Sequence, residues 1–283
     1  MTTFNFNTRV SIPASRHINP NGSEGGWVAN TATVAKTAYV DPDARVFDRA
    51  RVYGQAHVFG SAQVYGEAQI YGEAQIYDRS QVYESAQVYG DAHVSGEAHV
   101  FGRARIYGQA IISNQAHVFG EAKVYGEAQV YESAQVYGSS QTYGSDGHAQ
   151  AYRLTFIYSQ TQVYGSARIY GSSQVYGASQ VYGDAHVSGE AQISSATLHL
   201  GNYVDINCDQ TPRIATIYET TNVGIVVIVV DDRVILGDQH KTLEEWDREP
   251  PPNWDQLRPF VIMMLPKPPP IERLHYLDQL IDQ

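Results

Sequence analysis

The sequence is poor in cysteine. Among 283 residues Cys208 stands alone, so no disulfide can form within the chain, which suits a reducing compartment or a particle assembled in one. It has no unbroken apolar run of roughly eighteen residues, the least a membrane-crossing helix needs, so no membrane insertion is expected. Its first residues, MTTFNFNTRVSIPAS, lack the basic stretch and apolar core of a secretory signal, and none is expected. Positive charge is scarce too. Nineteen Lys and Arg against 30 Asp and Glu leave a net charge of −11, which argues against nucleic acid as a partner, because a phosphate backbone is met by a basic footprint. The location these absences suit is the cytoplasm or a virion.

What the sequence has in excess is one six-letter word, as in QVYGEAQIYGEAQIYDRSQVYESAQVYGDAHVSGEAHVFG. Val or Ile falls on every sixth residue from Val28 to Val136, followed by Thr142. The frame slips by three residues at Ser145-Asp146-Gly147 and resumes from Ala151 to Ile193. Within each word the alternation has period two: Ala inward, Gln outward, Val inward, Tyr outward, then Gly and a polar residue. That is a short strand closed by a turn. Gly at the turn takes a backbone conformation that a Cβ resists. Asp48, Asp78 and Asn114 tolerate that position, while Glu84 and Glu132 tolerate it less well. Three such sides close a triangular coil of eighteen residues, and the three-residue slip reads as a small loop at a corner. Stacking the coils as parallel strands about 4.8 Å apart gives about nine coils.

This pattern resembles the hexapeptide repeat, [Leu/Ile/Val]-x-[Gly]-x-[Ala/Ser]-x, of the left-handed parallel β-helix, over about residues 28–193. The resemblance implies an all-β, single-stranded left-handed β-helix. The family includes trimeric acyltransferases, gamma-type carbonic anhydrases and non-catalytic repeat proteins of bacteria and phages. The Tyr- and Gly-rich spelling is most similar to the last group.

The ends read differently. Residues 1–27 are expected to cap the coil, with Trp27 over the open core, since a bare solenoid exposes strand edges. Residues 28–200 form the β-helix, and residues 201–283 a C-terminal cap. In that cap VGIVVIVV (residues 223–230), Asp231-Asp232 and residues 233–236 read as a buried hairpin. Thr242-Leu243-Glu244-Glu245 is a capping box that starts a short helix bearing Trp246. Pro266-Lys267-Pro268-Pro269-Pro270 is a stiff spacer. Ile271, Leu274, Leu277, Leu280 and Ile281 mark one face of a final helix, an arm for this domain or for other virion or surface proteins.

Candidates for chemistry are few. The resemblance to acyltransferases makes His148, beside the slip, the candidate general base. His57 with His93, and His99 with His117, stand in line along the coil, but in a column otherwise filled by Gln, Arg and Lys. A polar surface column explains them better than a metal site, which takes three or four ligands. No phosphate-binding loop leads into a helix. Neither catalytic residues, nor a cofactor, nor a metal is expected.

Counting in eighteens sorts the outward residues onto three faces. The first carries Phe47, Tyr65, Tyr83, Phe101, Phe119, Tyr137 and Tyr158, with Phe156 in the column beside them. The second carries Tyr53, Tyr71, Tyr89, Tyr107, Tyr125, Tyr143, Tyr164 and Tyr182, flanked by Arg51, Arg105 and Lys123. The third carries Phe59, Tyr77, Tyr131, Tyr152 and Tyr170, interrupted by Ser95, Ser113 and Ser188. Stacked rings support a sheet by about 0.2–1 kcal/mol per pair. Three ladders nevertheless leave more aromatic surface outside than a monomer ordinarily shows. The first face, richest in Phe and nearly uncharged, is expected to pack against other subunits, as a homotrimer. The second is expected to stay outside for a partner. The sequence thus reads as a non-enzymatic structural or adhesive rod, a phage capsid-decoration or tail protein. The alternatives are an acyltransferase and a carbohydrate- or surface-binding module using the Tyr ladder.

Overall fold

The computed structural model describes residues 2–6, 10–144, 149–152, 155–158, 160–177, 180–181, 186–189, 191–195, 199–200, 205–208, 213–218, 224–230, 233–236, 239–252 and 254–264. The chain divides into two compact units, Met1–Asp209 and Gln210–Gln283.

The first unit is a triangular parallel β-solenoid, the arrangement expected of the hexapeptide β-helix. Its described strands fall into three sheets, one of twelve strands and two of ten. Each coil strand pairs in parallel with its equivalent one coil on, so Gln69 faces Gln87 and Ile70 faces Val88. Interior positions are filled by the Val/Ile and Ala columns, nearly all fully buried. Each coil buries only its neighbour's equivalent, and repeated shapes stack without voids.

Ser or Thr replaces Ala at some of these positions, and the hydroxyl is satisfied locally. Ser80 donates to the Tyr77 carbonyl at 2.6 Å and Thr161 to that of Tyr158 at 2.7 Å. Thr142 occupies the Val column instead, and its buried hydroxyl finds no partner. At the corners glycines adopt positive φ, as do Asp48, Asp78, Glu84, Asn114 and Glu132, with φ of 56–58°. Asp48 and Asp78 offset their strain by accepting a hydrogen bond from the amides of Gly66 and Gly96 on the next coil.

Register records two insertions. Across the first slip Gln129 pairs with Gln150 rather than with a residue eighteen on, while beyond it Gln150 pairs with Arg168. The flanking coils therefore keep their alignment across three extra residues. A second slip, of one residue, precedes His199: Gln180 pairs with His199 and His186 with Asp205. Leu200 and Ile206 thereby continue the Val column, and parallel strands persist to Cys208.

The N-terminal end is closed by a hairpin. Strands β1 (Thr3–Phe4) and β2 (Ile12–Ile18) pair antiparallel, β2 pairs with β3 (Glu24–Ala29), and β3 joins the first sheet beside residues 45–46. The buried Asn19 amide bonds both the N–H and the C=O of Val40. His17 meets the Ala38 carbonyl at 3.0 Å and Arg16 that of Pro42 at 2.6 Å. These side chains satisfy backbone groups that the first coil would otherwise expose. Gly25 and Gly26 permit the approach, since a Cβ at either would collide with carbonyl oxygens of residues 40–44. Trp27 does not cover the open core. It stands in an outward column, in register with Arg45, and its ring stacks on Phe4 at 4.6 Å.

Among its described residues the second unit holds a four-stranded antiparallel meander, Arg213–Tyr218, Gly224–Val230, Arg233–Leu236 and Gln239–Thr242, and two helices. The expected hairpin is its centre, Val230 pairing with Arg233. Helix α1 (Leu243–Arg248) starts on the expected capping box. Its Trp246 is buried and donates to the Val234 carbonyl at 3.0 Å. Helix α2 (Trp254–Met264) contains Pro259 and lies against the first two strands of the meander. Asp247 pins it by accepting two hydrogen bonds from Arg258, both 2.7 Å, and one from the Trp254 indole. Those donors hold the Asp247 carboxyl well down, at about 2. The proline-rich spacer and the final helix expected after it lie outside the described residues.

Candidate functional site

The outer surface of the solenoid is built by the residue after each inward Val. Because that position recurs once per coil, its side chains stand above one another at the strand spacing. On the first face the rings from Phe47 through Tyr65, Tyr83, Phe101, Phe119, Tyr137 and Tyr158 to Tyr176 form one stack, with centroids 4.7–5.0 Å apart. The second-face stack runs from Tyr71 through Tyr89, Tyr107, Tyr125 and Tyr143 to Tyr164 at 4.7–5.2 Å. Tyr53, above it, is the most open of these rings, 36% exposed. Tyr182 and His148 lie outside the described residues. Phe156 stands in the neighbouring column, between Gln135 and Gln174.

The Gln columns serve the ladders. The Tyr65 hydroxyl donates to Gln81 at 3.0 Å and the Tyr125 hydroxyl to Gln141 at 3.4 Å. In each case the partner lies in the adjacent column, one coil on. Burial between rings disfavours the phenolate and pushes Tyr65 up to about 12, with Tyr83, Glu84 and Asp48 adding to the rise. Tyr71, Tyr83, Tyr107 and Tyr125 are raised in the same direction, burial again coming first.

Phe47 is taken out of the accessible first face by the chain itself. Its ring is 6% exposed, because Phe6 from the N-terminal segment stacks on it at 5.0 Å. The first coil has Ala29 at the equivalent rung, one past the Val28–Val46 pair. Phe6, itself 1% exposed, supplies the ring that Ala29 lacks. Phe4 and Phe6 were not singled out from sequence. The available signal is their alternation in TFNF, which puts both rings on one side of an extended segment.

His99 and His117 are register partners with rings stacked 5.0 Å apart. Burial, then the neighbouring His117, lowers the His99 pKa. Their column continues with Gln81 and Gln135. Among the described residues no three His, Cys, Asp or Glu side chains gather closely enough to hold a metal, and no helix is long and apolar enough to cross a membrane.

The second face carries Arg51, Arg105 and Lys123 in its outward column. Arg105 and Lys123 are register partners beside Tyr107 and Tyr125, and with Arg103 and Glu121 they edge a shallow groove. Exposed ion pairs, Arg49–Glu67, Arg79–Glu97 and Arg103–Glu121, link successive coils at the corners. Each contributes about 0–1 kcal/mol.

The third-face ladder is broken. Phe59 stacks on Tyr77, and Tyr131 on Tyr152 and then Tyr170, but Ser95 and Ser113 occupy the two rungs between. The surface is depressed on both sides of those serines. One groove is bordered by His93 and Ile111, the other by Gly96 and Asn114.

No family model matches the sequence, and no curated protein matches it. Among solved structures it is similar to the Arabidopsis UDP-N-acetylglucosamine acyltransferase, 12% identical over 77% of each chain with a TM-score of 0.28, a likeness too low to transfer an activity.

Proposed function

We propose that this protein is a non-catalytic structural rod that works in a homo-oligomer, a homotrimer with parallel axes, as a decoration or tail component of a virion. The observation that carries this reading is the sheathing of two solenoid faces by continuous ring stacks. Such stacks make long, stiff, amphipathic contact surfaces, and aromatic side chains are enriched at protein interfaces. The first face is the self-association surface, through Tyr65, Tyr83, Phe101, Phe119, Tyr137, Phe156 and Tyr158. Phe there needs no hydroxyl partner, and the adjoining column is mostly Gln and His. The second face, with its Arg and Lys, remains outside for another protein or a glycan. The virion setting is supported by the spelling of the repeat.

Light scattering at micromolar concentration is expected to give three times the chain mass. Phe101→Glu with Phe119→Glu should release soluble monomer, because both charges would be desolvated at the contact. Tyr107→Glu with Tyr125→Glu should leave the oligomer intact. A monomeric wild type, or the reverse pattern in the two variants, would sink the reading. The acyltransferase alternative predicts a rise in melting temperature with acetyl-CoA, as any ligand of the native state must produce. The virion setting requires the chain to be found in purified particles.

A further inference from the structure

At the corners of the solenoid each of these arginines has its counter-ion. Arg49, Arg79 and Arg103 meet a glutamate one coil on, Glu67, Glu97 and Glu121, at 3.4–3.5 Å. The strand column of the second face is built otherwise. It runs Arg51, Gln69, Gln87, Arg105, Lys123 and Gln141, each in register with the next. It holds no carboxylate over that stretch, and among the described residues its three cations have no ion-pair partner. Arg105 and Lys123 stand on adjacent rungs, and like charges directly opposite across a strand pair are destabilising. In a protein of net charge −11, a column that accepts Gln elsewhere thus sets two unpaired cations side by side.

Arg105 and Lys123 edge a groove completed by Arg103, Glu121, Ser139 and Gln141. Every lining side chain is polar, and the one carboxylate, Glu121, is held by Arg103. Three coils earlier the same register positions form a second groove, where Arg49, Arg51 and Glu67 stand for Arg103, Arg105 and Glu121. There too the corner arginine holds the glutamate. The spelling recurs with the groove, RARVYGQA from Arg49 and RARIYGQA from Arg103. Three coils span about 14 Å at the parallel-strand spacing. Between Arg51 and Arg105 the column offers Gln69 and Gln87, whose amides both donate and accept. The neighbouring ladder offers Tyr71 and Tyr89. Their rings stack 3° from parallel, so they cover each other's faces and turn edges and hydroxyls outward. Burial, then Tyr89, raises the Tyr71 pKa while Arg105 opposes the rise. The guanidinium therefore stands beside the row of hydroxyls.

We propose that this strip binds an acidic polysaccharide laid along the rod, with one anionic group, a carboxylate or a sulfate, between Arg105 and Lys123 and a second at Arg51. The proposal rests on the reading of the second face as the one left outside, and it names the ligand of that face. Charge complementarity selects an anion, which Arg meets with a planar fork of donors and Lys with a point charge. Spacing selects among anions. A nucleic-acid strand carries a charge about every 3.4 Å, so about four phosphates would fall between cations about 14 Å apart, where only amides and hydroxyls meet them. An acidic polysaccharide places sugar hydroxyls there, and these pair with Gln amides and Tyr hydroxyls in either direction. An acidic protein segment would bring an apolar contact centre, and none of the residues lining the groove is apolar.

The test measures binding of the whole protein to polygalacturonate, which carries carboxylates, to dextran sulfate and to uncharged dextran. Single-stranded DNA and poly-glutamate serve as rival polyanions. Wild type is expected to bind polygalacturonate or dextran sulfate, the tighter of the two identifying the anion, and not to bind dextran. Arg105→Gln with Lys123→Gln restores the residue the column uses elsewhere. It should weaken that binding about tenfold or more and melt no lower than wild type. Arg79→Gln, which removes a corner cation beside the first face, should leave binding unchanged. Unchanged binding by the double variant, as large a loss in Arg79→Gln, or no binding of either acidic polysaccharide would overturn the proposal. Equally tight binding of DNA or poly-glutamate would overturn the assignment to a polysaccharide. Light scattering on the same double variant separates this proposal from the reading it rests on. An intact oligomer leaves the outer-face reading standing whatever the binding shows. A monomer would place Arg105 and Lys123 in the subunit contact and overturn both.

Discussion

The solenoid and the C-terminal unit solve the same problem, burying an apolar set, in opposite ways. In the solenoid a residue's environment is fixed by its column. Val88 is buried between Ile70 and Ile106, which are its own equivalents one coil away. In the C-terminal unit each contact occurs once. Trp246 has the Val234 carbonyl, and Asp247 has Arg258 and Trp254. The difference teaches where specificity resides. A column tolerates exchange among similar shapes, because the neighbours are alike. A unique contact tolerates little, because no neighbour can substitute.

The largest expected effect tests the column rule. Val88→Asp places an unpaired carboxylate in an interior that admits no water, and should destabilise the solenoid by about 4 kcal/mol or more. Tyr89→Asp, one residue on, loses only ladder stacking and should cost about 1 kcal/mol. Urea unfolding separates the two, and equal losses would refute the inward–outward assignment. Next, Trp246→Ala should cost about 3 kcal/mol, from a vacated aromatic site and an orphaned carbonyl. Calorimetry should show that loss in a transition distinct from that of the solenoid. A single transition displaced as a whole would erase the contrast between the units.

A smaller effect has the opposite sign. Thr142→Val returns the column residue and removes an unpartnered hydroxyl, so it should stabilise the solenoid by about 1 kcal/mol. No gain in the urea midpoint would mean that the hydroxyl has a partner.

The smallest effects come from pH, and they should divide the two regions. Burial holds Tyr65 at about 12 against an ordinary 10.0. Folding therefore favours the neutral ring, and its contribution is fully present below pH 10.0 and lost as pH rises toward 12. Asp247 has the reverse sign. Its hydrogen bonds from Arg258 and Trp254 hold it at about 2 against 3.8, so its contribution is present above pH 3.8 and lost as pH falls toward 2. Alkali should weaken the solenoid and acid the C-terminal unit, with Tyr65→Phe and Asp247→Asn flattening the respective arms. Equal sensitivity of both units at both extremes would remove the distinction.

Legibility followed the same divide. The inward columns, the corner positions of Asp48, Asp78, Glu84, Asn114 and Glu132, and the capping box at Thr242 were readable, because each depends on residues within one word or one turn. The ladders were readable because eighteen-residue counting places equivalents together. The Phe6–Phe47 stack was not, since nothing local says which distant ring will fill Ala29's rung. Trp27 was assigned to the open core from its place before the first coil, whereas the register of β3 turns it outward. The continuation to Cys208 was hidden by a single inserted residue, which breaks a six-residue count but not a strand pairing. Helix α2 was hidden by Pro259, whose missing amide argues against a helix interior, while Asp247 holds the helix from outside.

The sequence by itself determined the coil, its period, its buried columns and the identity of its three faces, because a short repeat makes every long-range contact a copy of a neighbouring one. Only the tertiary structure decided which rungs are already occupied. Phe47 is sealed by Phe6, a ring from outside the repeat. That distinction depends on where a non-repeating segment folds back, and a repeat carries no record of it.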